Sequence, residues 1–282
     1  MKKTVIHKGE IVTYQLLGPE PKEKQGPILM LVHGFPEDGT IFRFQYDSLQ
    51  KDFRIIVPDL PGSGESEYND QLQSVDDFAD VLLNIIDTEL ATRIVLVGHS
   101  MGGYISLAFA KKYPERITGL GLLHSTAYPD SAEKKENRMR AVETMGKYGG
   151  HAFLKTVIPG LFGAAFKQHH MNVIEEIISG SVRFKTVALQ QYYKIMHDRP
   201  DSTEVLKSLR IPILFIVGSE DKAAPASDVL PQSALPVMAQ ILILPGIGHM
   251  GFLEAKTKVN ECLKTFLQLE KINCPPTISQ LH

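Results

Sequence analysis

The stretch that most constrains this chain is Val97-Gly98-His99-Ser100-Met101-Gly102-Gly103, set between the apolar run Ile94 to Val97 and a helical pattern that starts at Met101. A strand, a sharp turn and a helix in immediate succession put Ser100 at the apex. Gly98 and Gly102 remove the side chains that would collide as the backbone bends, so the hydroxyl of Ser100 stands exposed at the sheet's edge and is a candidate nucleophile. Such a turn needs a buried strand before it and a sheet to belong to. The rest of the chain supplies both.

Ile11 to Leu17 reads as an early strand, and Ile28 to Val32 is a continuous apolar run of the kind that a sheet covered on both faces requires. Phe53 to Val57 is a second such run, ending in the turn-rich Pro58 to Gly64. Ser74, with Asp77 three residues on, predicts a capped helix whose apolar stripe is Val75, Phe78, Val81, Leu82, Ile85 and Ile86. The helix after Ser100 runs to Lys112, with small residues where it approaches the sheet and Pro114 as its stop. A strand over Ile117 to Leu123 follows. From Thr126 to Ser208 the alternation gives way to helical patterns alone, which predicts a helical insertion (126–208) in a core built from 1–125 and 209–282. Strands resume at Ile211 to Val217 and Ile241 to Leu244; Phe252 to Leu267 predicts a last amphipathic helix and Ile272 to His282 a tail.

In an open parallel sheet the functional groups collect at the carboxyl ends of the strands. Four post-strand loops here hold such groups: Ser100, the turn His33-Gly34-Phe35-Pro36, Asp221 in Gly218 to Pro225, and His249 in Pro245 to Met250. A serine hydroxyl is a weak nucleophile at neutral pH; a histidine must take its proton and a carboxylate must hold that histidine in the right tautomer.

On these motifs the chain resembles the α/β-hydrolase fold family from about Gly26 to Leu267, the order Ser, acid, His being the one that family uses. The resemblance implies an α/β fold with a mostly parallel, eight-stranded central sheet flanked by helices, and the helical insertion as a lid. It makes Ser100 the nucleophile, His249 the general base and Asp221 its carboxylate, with the backbone N–H groups of Phe35 and Met101 as the oxyanion hole. Glu220, beside Asp221, is the rival acid, but the family pattern GxxDxxxP aligns Asp221. His33 and His99 are expected to support their turns. His124, Phe162 and Tyr192 are expected to line the substrate pocket. Lys134, Lys135, Arg138 and Arg140 read as a solvated helix face, the alternative being a carboxylate receptor.

The implied reaction is cleavage of a small or medium carboxylic ester or lactone through an acyl-enzyme, with water as co-substrate and no cofactor or metal. Epoxide- and halide-removing relatives carry an aspartate at the elbow, so Ser100 excludes both. Perhydrolases of the haloperoxidase type and carbon–carbon bond hydrolases use the same triad and stay open, as does a ligand-binding receptor on the same scaffold. The Gly-His-Ser-Met-Gly-Gly elbow and the segment 122–138 resemble the enol-lactonase and small-esterase branch.

Charge supports a small-molecule partner: 30 basic against 32 acidic side chains gives a formal charge of −2 with no basic stripe, arguing against nucleic-acid or anionic-membrane binding. The glycines of Gly62-Ser63-Gly64 lack the third glycine of a dinucleotide fingerprint. Cys262 and Cys274 have no metal or redox spacing, the first residues do not form an apolar leader, and no run is long enough to span a membrane; a cytoplasmic enzyme is the expectation, with a homo-oligomer permitted.

Overall fold

The computed structural model describes residues 1–19 and 27–273. Eight strands form one sheet: β1 (Lys2–His7), β2 (Glu10–Leu17), β3 (Ile28–Val32), β4 (Ile55–Pro58), β5 (Ile94–His99), β6 (Ile117–Leu123), β7 (Ile213–Gly218) and β8 (Ala239–Leu244). Their spatial order is β1-β2-β4-β3-β5-β6-β7-β8. The pairs β1/β2 and β2/β4 are antiparallel; all others are parallel. Every residue of β4, β5 and β7 is buried, as strands covered on both faces demand, whereas the edge strands β1 and β8 alternate exposed and half-buried positions over most of their length.

The apolar runs, the Met101 helix and the strand at Ile117 to Leu123 fall where the sequence places them. β1 does not. The alternation of polar and apolar residues near the N-terminus serves in the sequence only to exclude a leader, yet it is the period of a half-buried strand, and β1 folds on β2 through Lys8 and Gly9, both at positive φ.

The helices are α1 (Arg43–Leu49), α2 (Val75–Thr88) and α3 (Met101–Lys112), then six between β6 and β7: α4 (Ala132–Tyr148), α5 (Gly150–Val157), α6 (Ala164–His169), α7 (Met171–Gly180), α8 (Thr186–Asp198) and α9 (Thr203–Ser208). After β7 come α10 (Ala226–Val229), α11 (Gly251–Glu254) and α12 (Lys256–Asn273). The Ser74–Asp77 capping box starts α2, both of its hydrogen bonds being made. The last amphipathic helix is interrupted at Ala255 and extends to Asn273. The expected tail thus begins inside it, and Cys274 with the residues after it lies outside the described residues. No helix among the described residues is long and apolar enough to cross a membrane.

Pairing registers bring the strand ends level. Val32 lies opposite Gly98, His99 opposite Leu123, and Gly218 opposite Leu244, so the loops that follow β3, β5, β6, β7 and β8 share one edge of the sheet.

Candidate active site

Ser100 sits between β5 and α3 with φ 50° and ψ −116°, a backbone that costs an ordinary residue about 1–3 kcal/mol and must be held by its surroundings. Its N–H donates to the Leu123 carbonyl (3.0 Å) and its own carbonyl accepts from the Ser125 hydroxyl (2.8 Å). The turn is also sterically closed. A Cβ on Gly98 would stand 2.3 Å from the Gly102 carbonyl oxygen, and one on Gly102 2.2 Å from that of Val32, so α3 can start this close to the sheet only with glycine at both places.

Ser100 and His249 open into one cavity of about 340 Å³, lined also by Phe35, Tyr104, Phe153, Leu161 and Tyr193. Behind His249 lies Asp221, buried, whose Oδ2 accepts from His249 Nδ1 (2.8 Å) while Oδ1 accepts from the N–H groups of Ala223 (2.8 Å) and Ala224 (2.9 Å). Burial alone would raise the Asp221 carboxyl; the adjoining His249 and His124 outweigh it and hold Asp221 well below the usual carboxylate range. His249 shows the complement: burial pushes its imidazole down, Asp221 pushes it up, and the net shift is upward. Glu220, the rival, is exposed and accepts from the Ala164 N–H (2.7 Å), so geometry sets Asp221 and not Glu220 against His249.

His124 is where the structure departs from expectation. It does not line the cavity: it is 1% exposed, at φ 47°, and its Nδ1 donates to the same Asp221 Oδ2 (3.1 Å) that serves His249. Its Nε2 is buried with no partner. Burial outweighs the nearby carboxylate and lowers the His124 imidazole to about 4, so it stays neutral. The donor atoms of His124, Asp221 and His249 lie within 4.8 Å of one another. With an N–H of each imidazole spent on the carboxylate, they form a hydrogen-bonded relay and not a set of lone pairs around a cation.

Phe162 and Tyr192 are displaced from their expected places too. Phe162 is buried and stacks on Phe166, with its neighbour Leu161 facing the cavity. The Tyr192 hydroxyl donates to the Pro61 carbonyl (2.8 Å) in the core, and it is Tyr193, one helical step round α8, that borders the cavity and packs on Phe35 with ring centroids 4.7 Å apart. The basic residues of α4 divide. Lys134 and Arg138 face the cavity, whereas Arg140 is exposed and pairs with Glu136.

A residue that no motif pointed to ties the loops together. Glu37, buried, accepts from the Gly34 N–H (2.8 Å) with the same Oε2 that lies 3.0 Å from His99 Nδ1, and His99 Nε2 donates to the His249 carbonyl (3.0 Å). Burial raises the Glu37 carboxyl, but His99 and the Gly34 N–H prevail and hold it low. His33 Nε2 accepts from the Leu60 N–H (2.9 Å), fastening the turn before Phe35 to the Pro58–Gly64 segment. Among the described residues neither the Phe35 nor the Met101 N–H donates to a protein acceptor.

A parallel sheet with a strained serine at its central strand-to-helix turn, followed in the chain by an acid and a histidine in contact, defines the α/β hydrolases as a class. Comparison agrees: residues 27–155 match the model of the alpha/beta hydrolase fold family. A thermophilic esterase from Thermogutta terrifontis superposes with a TM-score of 0.88 at 32% identity, over 96% of this chain and 99% of that one. The chain belongs to the α/β-hydrolase fold family. The enol-lactonase of Burkholderia xenovorans LB400 shares the fold (TM-score 0.85, 22% identity, 94% of this chain and 100% of that one). In sequence the chain is 27% identical to a pimeloyl-[acyl-carrier protein] methyl ester esterase of Xanthomonas oryzae pv. oryzae, over 86% of this chain and 95% of that protein. It is 28% identical to the dihydrolipoyllysine-residue acetyltransferase component of an acetoin cleaving system in Pseudomonas putida, of whose length it spans 64%.

Proposed function

We propose that this protein is a serine hydrolase of small or medium carboxylic esters or lactones, working in the cytoplasm through an acyl-enzyme. The observation that carries the reading is the meeting of Ser100 and His249 in one cavity with Asp221 hydrogen-bonded behind His249. The esterase and methyl ester esterase among its relatives support the same bond type.

With Nδ1–H committed to Asp221, His249 presents Nε2 as the base. Ser100 Oγ attacks the ester carbonyl carbon as His249 takes its proton, and the tetrahedral oxyanion is received by the N–H groups of Phe35 and Met101. The intermediate collapses by breaking the bond to the alcohol oxygen, which leaves with the proton from His249. Water then gives a proton to His249 and adds to the acyl carbon; collapse returns that proton to Ser100 and releases the acid. Each oxyanion donor is worth about 10²- to 10³-fold in kcat. In this reading residues 126–208 form a lid, with Phe153, Val157 and Leu161 roofing the acyl pocket.

The test is intact-mass spectrometry after incubation with a small fluorophosphonate. The wild type should gain one adduct and Ser100→Ala none, with ester turnover lost in the variant by about 10⁶-fold. A folded wild type that stays unlabelled and turns over no simple ester refutes the reading.

A further inference from the structure

We infer that the cavity holds an anion subsite on α4, and that the preferred substrate is an ester or lactone bearing a free carboxylate; this rests on the serine-hydrolase reading above. Lys134, Asn137, Arg138 and Ala141 all line the cavity, at the spacing i, i+3, i+4, i+7 that puts four residues on one helix face. Among the described residues no Asp or Glu lines the cavity, so the carboxylates that pair with these two cations, Asp130 and Asp228, approach them from outside it.

Arg138 is the centre of this subsite. The carboxylate of Asp130, 1% exposed, takes the Arg138 Nε–H and, at 2.8 Å, Arg199 Nη2, so two guanidinium groups share one anion and leave a net positive charge. Both amino nitrogens of Arg199 are engaged in structure: Nη1 donates to the Met196 carbonyl, Nη2 to that of Tyr128, and its guanidinium lies 3.9 Å over the Tyr104 ring, while its Nε is buried without an acceptor among the described residues. Those of Arg138 are not. Its Nε is anchored and its guanidinium lies 5.3 Å from the centroid of the Tyr193 ring, yet among the described residues neither of its amino nitrogens has a hydrogen-bond acceptor. Its side chain is only 19% exposed. Its amino nitrogens are not among the buried, unpartnered atoms, so they are open to a ligand, and a carboxylate matches their planar pair of donors. Lys134, whose Nζ donates to the Ala223 carbonyl at 3.4 Å, is a second cation on the cavity wall, loosely balanced by Asp228 at 3.9 Å, so the cluster's net charge stays positive. Tyr193, raised to about 12 by burial in spite of Arg138, brings no competing phenolate.

The experiment compares monoethyl succinate, glutarate and adipate with ethyl butanoate, pentanoate and hexanoate, matched in acyl length, following acid release by pH-stat. The expected result is a higher kcat/KM for at least one monoanionic ester than for its neutral match. Arg138→Gln should reduce that preference ratio by about 10- to 100-fold, the worth of a charge-assisted hydrogen bond or two, and Arg138→Lys should restore part of it. A wild type that cleaves the neutral esters with no such preference, or an Arg138→Gln ratio equal to that of the wild type, overturns the subsite and leaves the hydrolase reading intact. Absence of both turnover and fluorophosphonate adduct strikes the hydrolase reading instead. Calorimetric titration of glutarate into Ser100→Ala and into Ser100→Ala with Arg138→Gln then decides the subsite alone: binding lost with Arg138 supports it, and no binding to the first protein overturns it.

Discussion

His124 shares a carboxylate oxygen with His249, and replacing it should change how stability depends on pH. Its imidazole is held at about 4 because protonating Nε2 would bury a cationic N–H with no acceptor. The unfolded chain titrates this residue near its ordinary value of about 6.5. The folded value is the lower one, so from pH 6.5 downward the unfolded state takes up a proton that the folded state refuses, and stability falls as pH falls. The slope is about 1.4 kcal/mol per pH unit, so between about pH 7.5 and pH 5 this residue alone removes roughly 2 kcal/mol. His124→Leu should cost about 1–3 kcal/mol at the higher pH, through the lost hydrogen bond to Asp221, and recover roughly 2 kcal/mol relative to wild type at the lower. His124→Asn should show the same flattening; asparagine tolerates the positive φ and retains an amide donor. Urea unfolding of the three proteins at both pH values measures this directly. Stability curves that run parallel between wild type and His124→Leu would refute the argument, since they would mean that His124 titrates alike in both states.

Two further outcomes are expected. Asp221→Asn should lower kcat by about 10⁴-fold, by analogy with the tautomer error that this change produces in other triads, while Glu220→Gln, which removes a charge but keeps an acceptor for the Ala164 N–H, should stay within about tenfold; kinetics in the reverse order would move the acid. Gly103→Ala places a Cβ 2.3 Å from the Ser125 hydroxyl oxygen, the group that holds the Ser100 carbonyl, and should destabilise by about 1–3 kcal/mol despite the helix propensity gained, read as a lower denaturation midpoint.

The parts of the fold legible in sequence were those with a one-dimensional signature. The short, β-branched apolar run Ile94 to Val97 fits a strand buried on both faces, the Ser74 box marks the start of a helix, and the glycines around Ser100 mark a tight turn. What stayed hidden depended on rotation or on distant partners. Tyr192 and Tyr193 are both aromatic on one helix, and the rotation of α8, which only packing fixes, puts Tyr192 in the core and Tyr193, not the expected Tyr192, in the cavity. Arg138 among four basic residues is distinguished by Asp130 and Tyr193, which only folding brings to it. His124 meets an acid 97 positions away, and Glu37 a histidine 62 away. The half-polar β1 was concealed differently, since alternation in an edge strand looks like the absence of a core.

The buried Glu37 has a consequence for how such a chain can diversify. One carboxylate oxygen reaches both the Gly34 turn and His99, and His99 passes the connection to the backbone of His249. Three loops that are far apart in the chain are thereby made interdependent, and an insertion in any one of them would disturb the other two. The helices from α4 to α8 carry no such obligation toward Glu37, though their residues supply much of the cavity wall. Substitution and length change can accumulate over much of that stretch but not at Leu161, whose carbonyl accepts from the His249 N–H (2.6 Å): the scaffold joins a part that must be inherited whole to a part that can be revised piecemeal, and the joint is fixed in the backbone.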